Sequence, residues 1–297
     1  MPSAKRLAIG LLMALYLLFC VIFFGIYFRE KLTFWPPQRV VDITPAKYDM
    51  MYKMVPLVVA TEPQKVITEG WFLPAVSAPA KGLTVYIPGV CNKCQHVKTL
   101  KRLQNVAPDF DLLVFDWPGY GSTQDIYPKQ HQLFDKTLKA IHAYTKKQHY
   151  DRVIWFGHCI GFTFLVRHLG HLFEASRDRV FSHNGLINWF LSGVAMNRYT
   201  SWIPPTLTYV LPAKYVSELD IREDLRTLRE RGIKCMGLYR RDSKHVQIEN
   251  GRVLKELVEP QHYFEIEGDR YNRFTFDGDH DGKIAAAVDR FWHDDHC

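Results

Sequence analysis

The chain of 297 residues contains no internal repeats and no low-complexity tracts, which excludes solenoid and fibrous architectures. It contains no N-x-[ST] sequon, so nothing marks a glycosylated face. Cysteine is scarce: six in a chain of this length do not make a disulfide scaffold. Cys91 and Cys94 form a C-x-x-C pair, but no second ligand pair stands at a zinc-site spacing, so neither a metal nor a cofactor is expected. The formal net charge is +7, yet the lysines and arginines are scattered and no nucleic-acid motif occurs. Nucleic acid is therefore not an expected partner, while contact with an anionic membrane stays open.

What is present is apolar. Hydrophobic residues make up 47% of the sequence, enough to bury one large core, and roughly 250 residues is an ordinary size for a single open α/β sheet. Leu7–Phe28 is a run of 22 residues without a charge, which as a helix at about 1.5 Å per residue reaches roughly 33 Å. The run is long for a cleaved signal peptide and no A-x-A-like site follows it. It predicts a single-pass N-terminal membrane anchor over residues 1–30, with the lipid bilayer as a partner. Lys5 and Arg6 on one side nearly balance Arg29 and Lys31 on the other. A short basic head before a large domain points that domain to the non-cytoplasmic side. Residues 31–68, dotted with prolines, read as a linker and antiparallel edge segment, and residues 69–297 as one α/β domain.

The domain is organised around Arg152–Leu169. The apolar run Val153–Phe156 suits a strand covered on both faces. It meets Gly157-His-Cys159-Ile-Gly161 and then a helix-compatible stretch. This is a G-x-nucleophile-x-G elbow, in which a strained turn thrusts the central side chain above the sheet and the glycines remove clashing Cβ atoms. The exposed residue is Cys159, at the positive end of a helix dipole that favours a thiolate. Strand signals recur at Leu83–Ile87, Leu112–Phe115, Trp189–Ala195, Ile233–Tyr239 and Tyr263–Ile266. Helical periodicity marks His96–Val106, a stretch with Phe134, Leu138 and Ile141, and a last one with Ile284, Val288 and Phe291. Strands alternating with helices imply a mostly parallel, doubly wound sheet.

The segments GWFLPA, IPGVCN, FDWPGYGS and GHCIG stand in an order and spacing that resemble the α/β-hydrolase family, over about Phe34–Trp292. With the apolar N-terminal run, the chain is most similar to the membrane-anchored members that include lipid hydrolases and protein depalmitoylases, with cysteine in place of the nucleophilic serine. The resemblance implies the α/β-hydrolase fold with a small cap at about residues 197–220, and a triad in the order nucleophile, acid, histidine. Asp242, beyond a strand-like run, takes the acid's place, and His280, in a glycine-rich loop before the last helix, that of the general base. His245 is too near Asp242 in sequence, His158 points away as packing or polar support, and His293 and His296 fall in an exposed tail. Backbone N–H groups of Ile160 and Val90 are the expected oxyanion donors. The oxyanion loop departs from the family's His-Gly start by carrying Pro88-Gly89.

The expected activity is hydrolysis of an ester or thioester, with a small acyl or lipid-like substrate, through an acyl-Cys159 intermediate. Two other readings compete: a catalytically silent hydrolase fold tethered to a membrane as a binding module, and a tethered peptidase. If the domain meets an oxidising compartment, Cys91 could pair with Cys94 or Cys159 as a redox switch.

Overall fold

The structure, a computed structural model, describes residues 8–21, 43–61, 65–77, 79–89, 93–121, 130–188, 219–243, 246–258, 262–267, 274 and 282–293, with backbone only at 130–132. The chain forms two compact units, Met1–Pro36 and Pro37–Cys297. In the first, residues 8–21 are helical. Among the described residues no helix is long and apolar enough to cross a membrane. The spanning helix expected over Leu7–Phe28, and the single-pass membrane location built on it, are thus not upheld.

The second unit is built on an eight-stranded sheet. Its strands are β1 (Lys53–Ala60), β2 (Val66–Leu73), β3 (Gly82–Ile87), β4 (Phe110–Phe115), β5 (Val153–His158), β6 (Asp178–His183), β7 (Lys234–Arg240) and β8 (Tyr263–Ile266). They lie in the order β1-β2-β4-β3-β5-β6-β7-β8. β2 runs antiparallel to β1 and β4, and every later pairing is parallel. The central strands β3, β4 and β5 are buried at every position, as their continuous apolar runs require. The expected strand at Trp189–Ala195 lies outside the described residues. The strand that pairs with β5 comes earlier, at Asp178–His183, and carries only two apolar residues, Val180 and Phe181. Its polar ends are satisfied by tertiary partners: Trp155 Nε1 donates to Asp178 Oδ1 at 2.8 Å, and the Arg179 guanidinium donates to the Phe291 carbonyl.

Among the described residues the strands alternate with α1 (Val97–Val106), α2 (Gln130–Lys147), α3 (Ile160–Leu169), α4 (Arg222–Glu230), α5 (Ile248–Leu257) and α6 (Lys283–His293). α1 buries Val97, Leu100 and Leu103, and α6 buries Ile284, Val288, Phe291 and Trp292. These stripes pack with Tyr86, Leu112, Val114, Ile154, Phe156, Phe181 and Leu238 into one core cluster. On the other face Trp155 meets Phe173, and Gly251 of α5 lies against Tyr239 of β7. α6 is tied down by polar contacts too. Trp292 Nε1 donates to Thr84 Oγ1 of β3 at 3.0 Å, and Arg152 donates to the carbonyls of Trp292 (3.0 Å) and His293 (2.6 Å).

Candidate active site

Cys159 stands between the end of β5 and the first residue of α3, with φ 53° and ψ −128°. A non-glycine residue with positive φ and strongly negative ψ is strained by about 1–3 kcal/mol and persists only where its surroundings enforce it. Here they do. The Cys159 N–H donates to the His183 carbonyl at 3.3 Å, and its own carbonyl accepts from Phe162 N–H (3.2 Å) and Leu186 N–H (3.0 Å). A Cβ at Gly157 would lie 2.6 Å from Phe162 Cα, and one at Gly161 would lie 2.3 Å from the Pro88 carbonyl oxygen. Both elbow glycines are therefore demanded by close approach of backbone, as the sequence pattern implies. Gly161→Ala is expected to cost about 1–3 kcal/mol by overpacking and to displace the Pro88 loop; urea unfolding midpoints against the parent protein measure it.

The loop after β3 runs past the thiol: a Cβ built on Gly89 would sit 3.0 Å from Cys159 Cβ and 3.6 Å from its Sγ. Ile160 is the first helical residue of α3, where an N–H has no intrahelical acceptor and is free for an oxyanion. Val90, the other expected donor, lies outside the described residues, as do Cys91 and most of the cap region, residues 197–218. Asp242 is exposed, two positions beyond the carboxyl end of β7. His280 also lies outside the described residues, together with His245, Asp279, Asp281 and His296. The approach to its loop is fixed in the core: Phe274 is fully buried, edge-on to Phe156 and His183 at 5.2 and 5.4 Å, and its carbonyl accepts from Arg102 at 3.0 Å. His293, expected in an exposed tail, instead ends α6 with Nε2 2.9 Å from Asp109 Oδ1 and Nδ1 3.0 Å from Asp289 Oδ1. Among the described residues no group of histidines, cysteines and carboxylates is arranged to hold a metal ion.

Beside the elbow lies a polar row that sequence reasoning did not assemble. Tyr86, His96, His158 and His183 are all buried, with His96–His158 and His158–His183 ring centroids 5.4 and 5.1 Å apart. Asn184, at φ 46°, accepts from Arg240 N–H through Oδ1 at 2.7 Å, which turns its amide nitrogen toward His183 Nε2 at 3.4 Å. With Nε2 accepting, a neutral His183 carries its proton on Nδ1 and donates it to His158 Nδ1 at 3.1 Å. Burial first, then the neighbouring His158, holds the His96 ring well below the usual imidazole range. His183 is lowered likewise, by burial and then by His158, Arg240 and His96. Of this row, His158 alone stood out in the sequence, by its place in the elbow.

The strand order, parallel centre and strand–elbow–helix with a strained Cys159 define an α/β-hydrolase fold, as expected. No protein-family model matches the chain, and no curated protein is significantly similar to it in sequence. Solved structures carry the likeness. An esterase of Pyrococcus furiosus superposes with a TM-score of 0.61 at 16% identity, covering 87% of this chain and 97% of that one. The esterase domain of a Rhodothermus marinus protein gives 0.53 at 13% identity, over 81% and 99%. A bromoperoxidase of Bacillus anthracis gives 0.55 at 10% identity, over 80% and 99%. Esterases and hydrolases recur among these neighbours, in line with the expected class of enzyme. The bromoperoxidase is a reminder that one fold hosts several chemistries, so function must be argued from the site.

Proposed function

We propose that the protein is a hydrolase that cleaves an ester or thioester of an apolar acyl group through a Cys159-His280-Asp242 triad. The carrying observation is the Cys159 elbow: a strained, positive-φ cysteine at a helix N-terminus, with Gly89 of the oxyanion loop against its sulfur. His280 takes the thiol proton, and the sulfur attacks the acyl carbon. The resulting oxyanion is held by the N–H groups of Ile160 and Val90. The carbon–oxygen or carbon–sulfur bond to the leaving group then breaks, and His280 returns the proton to the departing alcohol or thiol. Water deprotonated by His280 attacks the acyl-Cys159 thioester, the carbon–Sγ bond breaks, His280 returns the proton to Sγ, and the acid leaves. Asp242 orients the imidazole and stabilises its charged form. Esterase relatives in fold support the bond type, and a thiolate is well matched to thioesters and activated esters.

The test is a panel of p-nitrophenyl acyl esters and acyl thioesters, with mass-spectrometric mapping of an acyl group trapped on the protein. Turnover with the adduct on Cys159, slowed at least 100-fold by His280→Ala, is the expected result. An inert thiol, or turnover that leaves no adduct at residue 159, refutes the reading.

A further inference from the structure

The oxyanion loop begins with Pro88, which has no N–H and lacks the polar side chain of the family's usual histidine, so its shape must be held by other groups. The structure shows which. Trp117 Nε1 donates to the Pro88 carbonyl at 3.0 Å. At the other end, Lys93 N–H donates to Asp116 Oδ1 at 2.6 Å and Lys93 Nζ to Asp116 Oδ2 at 2.5 Å. Both ends of the loop are thus fastened to two consecutive residues, Asp116 and Trp117, in the turn after β4.

That turn is itself built for the purpose. Thr68 Oγ1 donates to the Asp116 carbonyl at 2.6 Å, holding its backbone to β2. Gly121, at φ 60°, leaves room for the carboxylate, since a Cβ there would lie 2.2 Å from Asp116 Oδ2. Trp117 is wedged between Phe134 and Phe164, with ring centroids 4.7 and 5.8 Å away. Lys93 and Asp116 are 3% and 1% exposed. Burial raises the Asp116 carboxyl above its ordinary value although the Lys93 ammonium pulls it down. Such a pair is a poor source of stability, because desolvating two charges offsets their attraction. What it supplies is geometry.

We propose that Lys93, Asp116 and Trp117 are positioning residues for the oxyanion hole, holding Pro88 and Gly89 beside Cys159 at one end of the loop and Lys93 at the other. The proposal rests on the esterase or thioesterase reading and deepens it. Ends held in this way need not move as the acyl oxyanion forms. Losing one oxyanion donor outright costs about 10²–10³ in kcat.

The experiment compares the full-length parent protein with the paired variant Lys93→Met/Asp116→Leu, whose apolar side chains of similar size leave no unpaired buried charge. On the best p-nitrophenyl ester, kcat is expected to fall about 30- to 100-fold with KM within threefold. Alkylation of Cys159 by iodoacetamide, which passes through no oxyanion, is expected to stay within threefold of the parent. Trp117→Phe keeps an aromatic ring between Phe134 and Phe164 while removing the donor to Pro88 and part of the indole's volume; it is expected to lower kcat about 5- to 10-fold, a fraction of one donor's worth, and it decides the matter if the paired variant does not fold. Ester turnover within twofold of the parent in the folded variants overturns the proposal. So does an equal fall in turnover and alkylation, which marks general damage to the site. A parent protein that turns over no ester or thioester overturns the functional reading itself, a result distinct from both.

Discussion

Replacing Cys159 by alanine is expected to abolish turnover, a loss of at least about 10³-fold, and replacing it by glycine is expected to do the same while giving a more stable protein than the alanine variant. At φ 53° and ψ −128°, residue 159 occupies a region that glycine enters freely and other residues enter at a cost of about 1–3 kcal/mol. Against that gain, glycine adds about 0.5–1 kcal/mol of unfolded-state entropy. The net expectation is that Cys159→Gly exceeds Cys159→Ala by about 1 kcal/mol in urea unfolding. Comparing the two variants with each other cancels the loss of the sulfur's packing, which both share. A glycine variant less stable than the alanine variant refutes the strain. Retained turnover in either one refutes the nucleophile.

The second large effect is on stability against pH. His96 and His183 are buried with imidazole pKa values lowered by burial and by the neighbouring His158, and Arg240 adds to the effect on His183. Tyr86, Asn184 and Phe274 complete the surroundings and bring no charge. A lowered folded-state pKa means that the unfolded chain binds more protons than the folded one below about pH 6.5. The stability contribution is therefore complete above the unfolded value and is lost as pH falls through it toward the folded value. Between pH 7.5 and 5.5 each such histidine removes on the order of 1 kcal/mol, and the two together on the order of 2–3 kcal/mol. Urea midpoints at the two pH values measure the drop, and His96→Phe should roughly halve it whatever that variant's absolute stability. A stability that stays level over this interval rules the mechanism out.

The elements that could be read from the sequence are those in which local pattern and tertiary role coincide. β5 and the elbow announce themselves because an apolar strand covered on both faces runs straight into Gly157-x-Cys159-x-Gly161. α1 and α6 show their buried stripes as plain helical spacing. β6 escaped because Asp178, Arg179, Ser182 and His183 look unlike a core strand until Trp155, the end of α6 and Tyr239 supply partners; Ser182 Oγ lies 2.8 Å from Tyr239 Oη. FDWPGYGS could be recognised as a turn, but that its aspartate holds a buried lysine depends on two segments meeting in space. The N-terminal run was read from its hydrophobic length alone, and among the described residues no helix is long and apolar enough to cross a membrane. Asp242 sits where a reading of strand ends puts it.

The arginines of the sheet's lower edge and the indole of α6 carry a consequence for biosynthesis. Thr84 waits for Trp292, and Arg152 and Arg179 wait for the terminal carbonyls of the same helix. While the polypeptide is still emerging from the ribosome, the apolar side of the central strands that α6 covers stands open. Closure of this half of the molecule must await Lys283–His293, so a nascent chain stalled before Lys283 is expected to expose apolar surface in place of a finished wall.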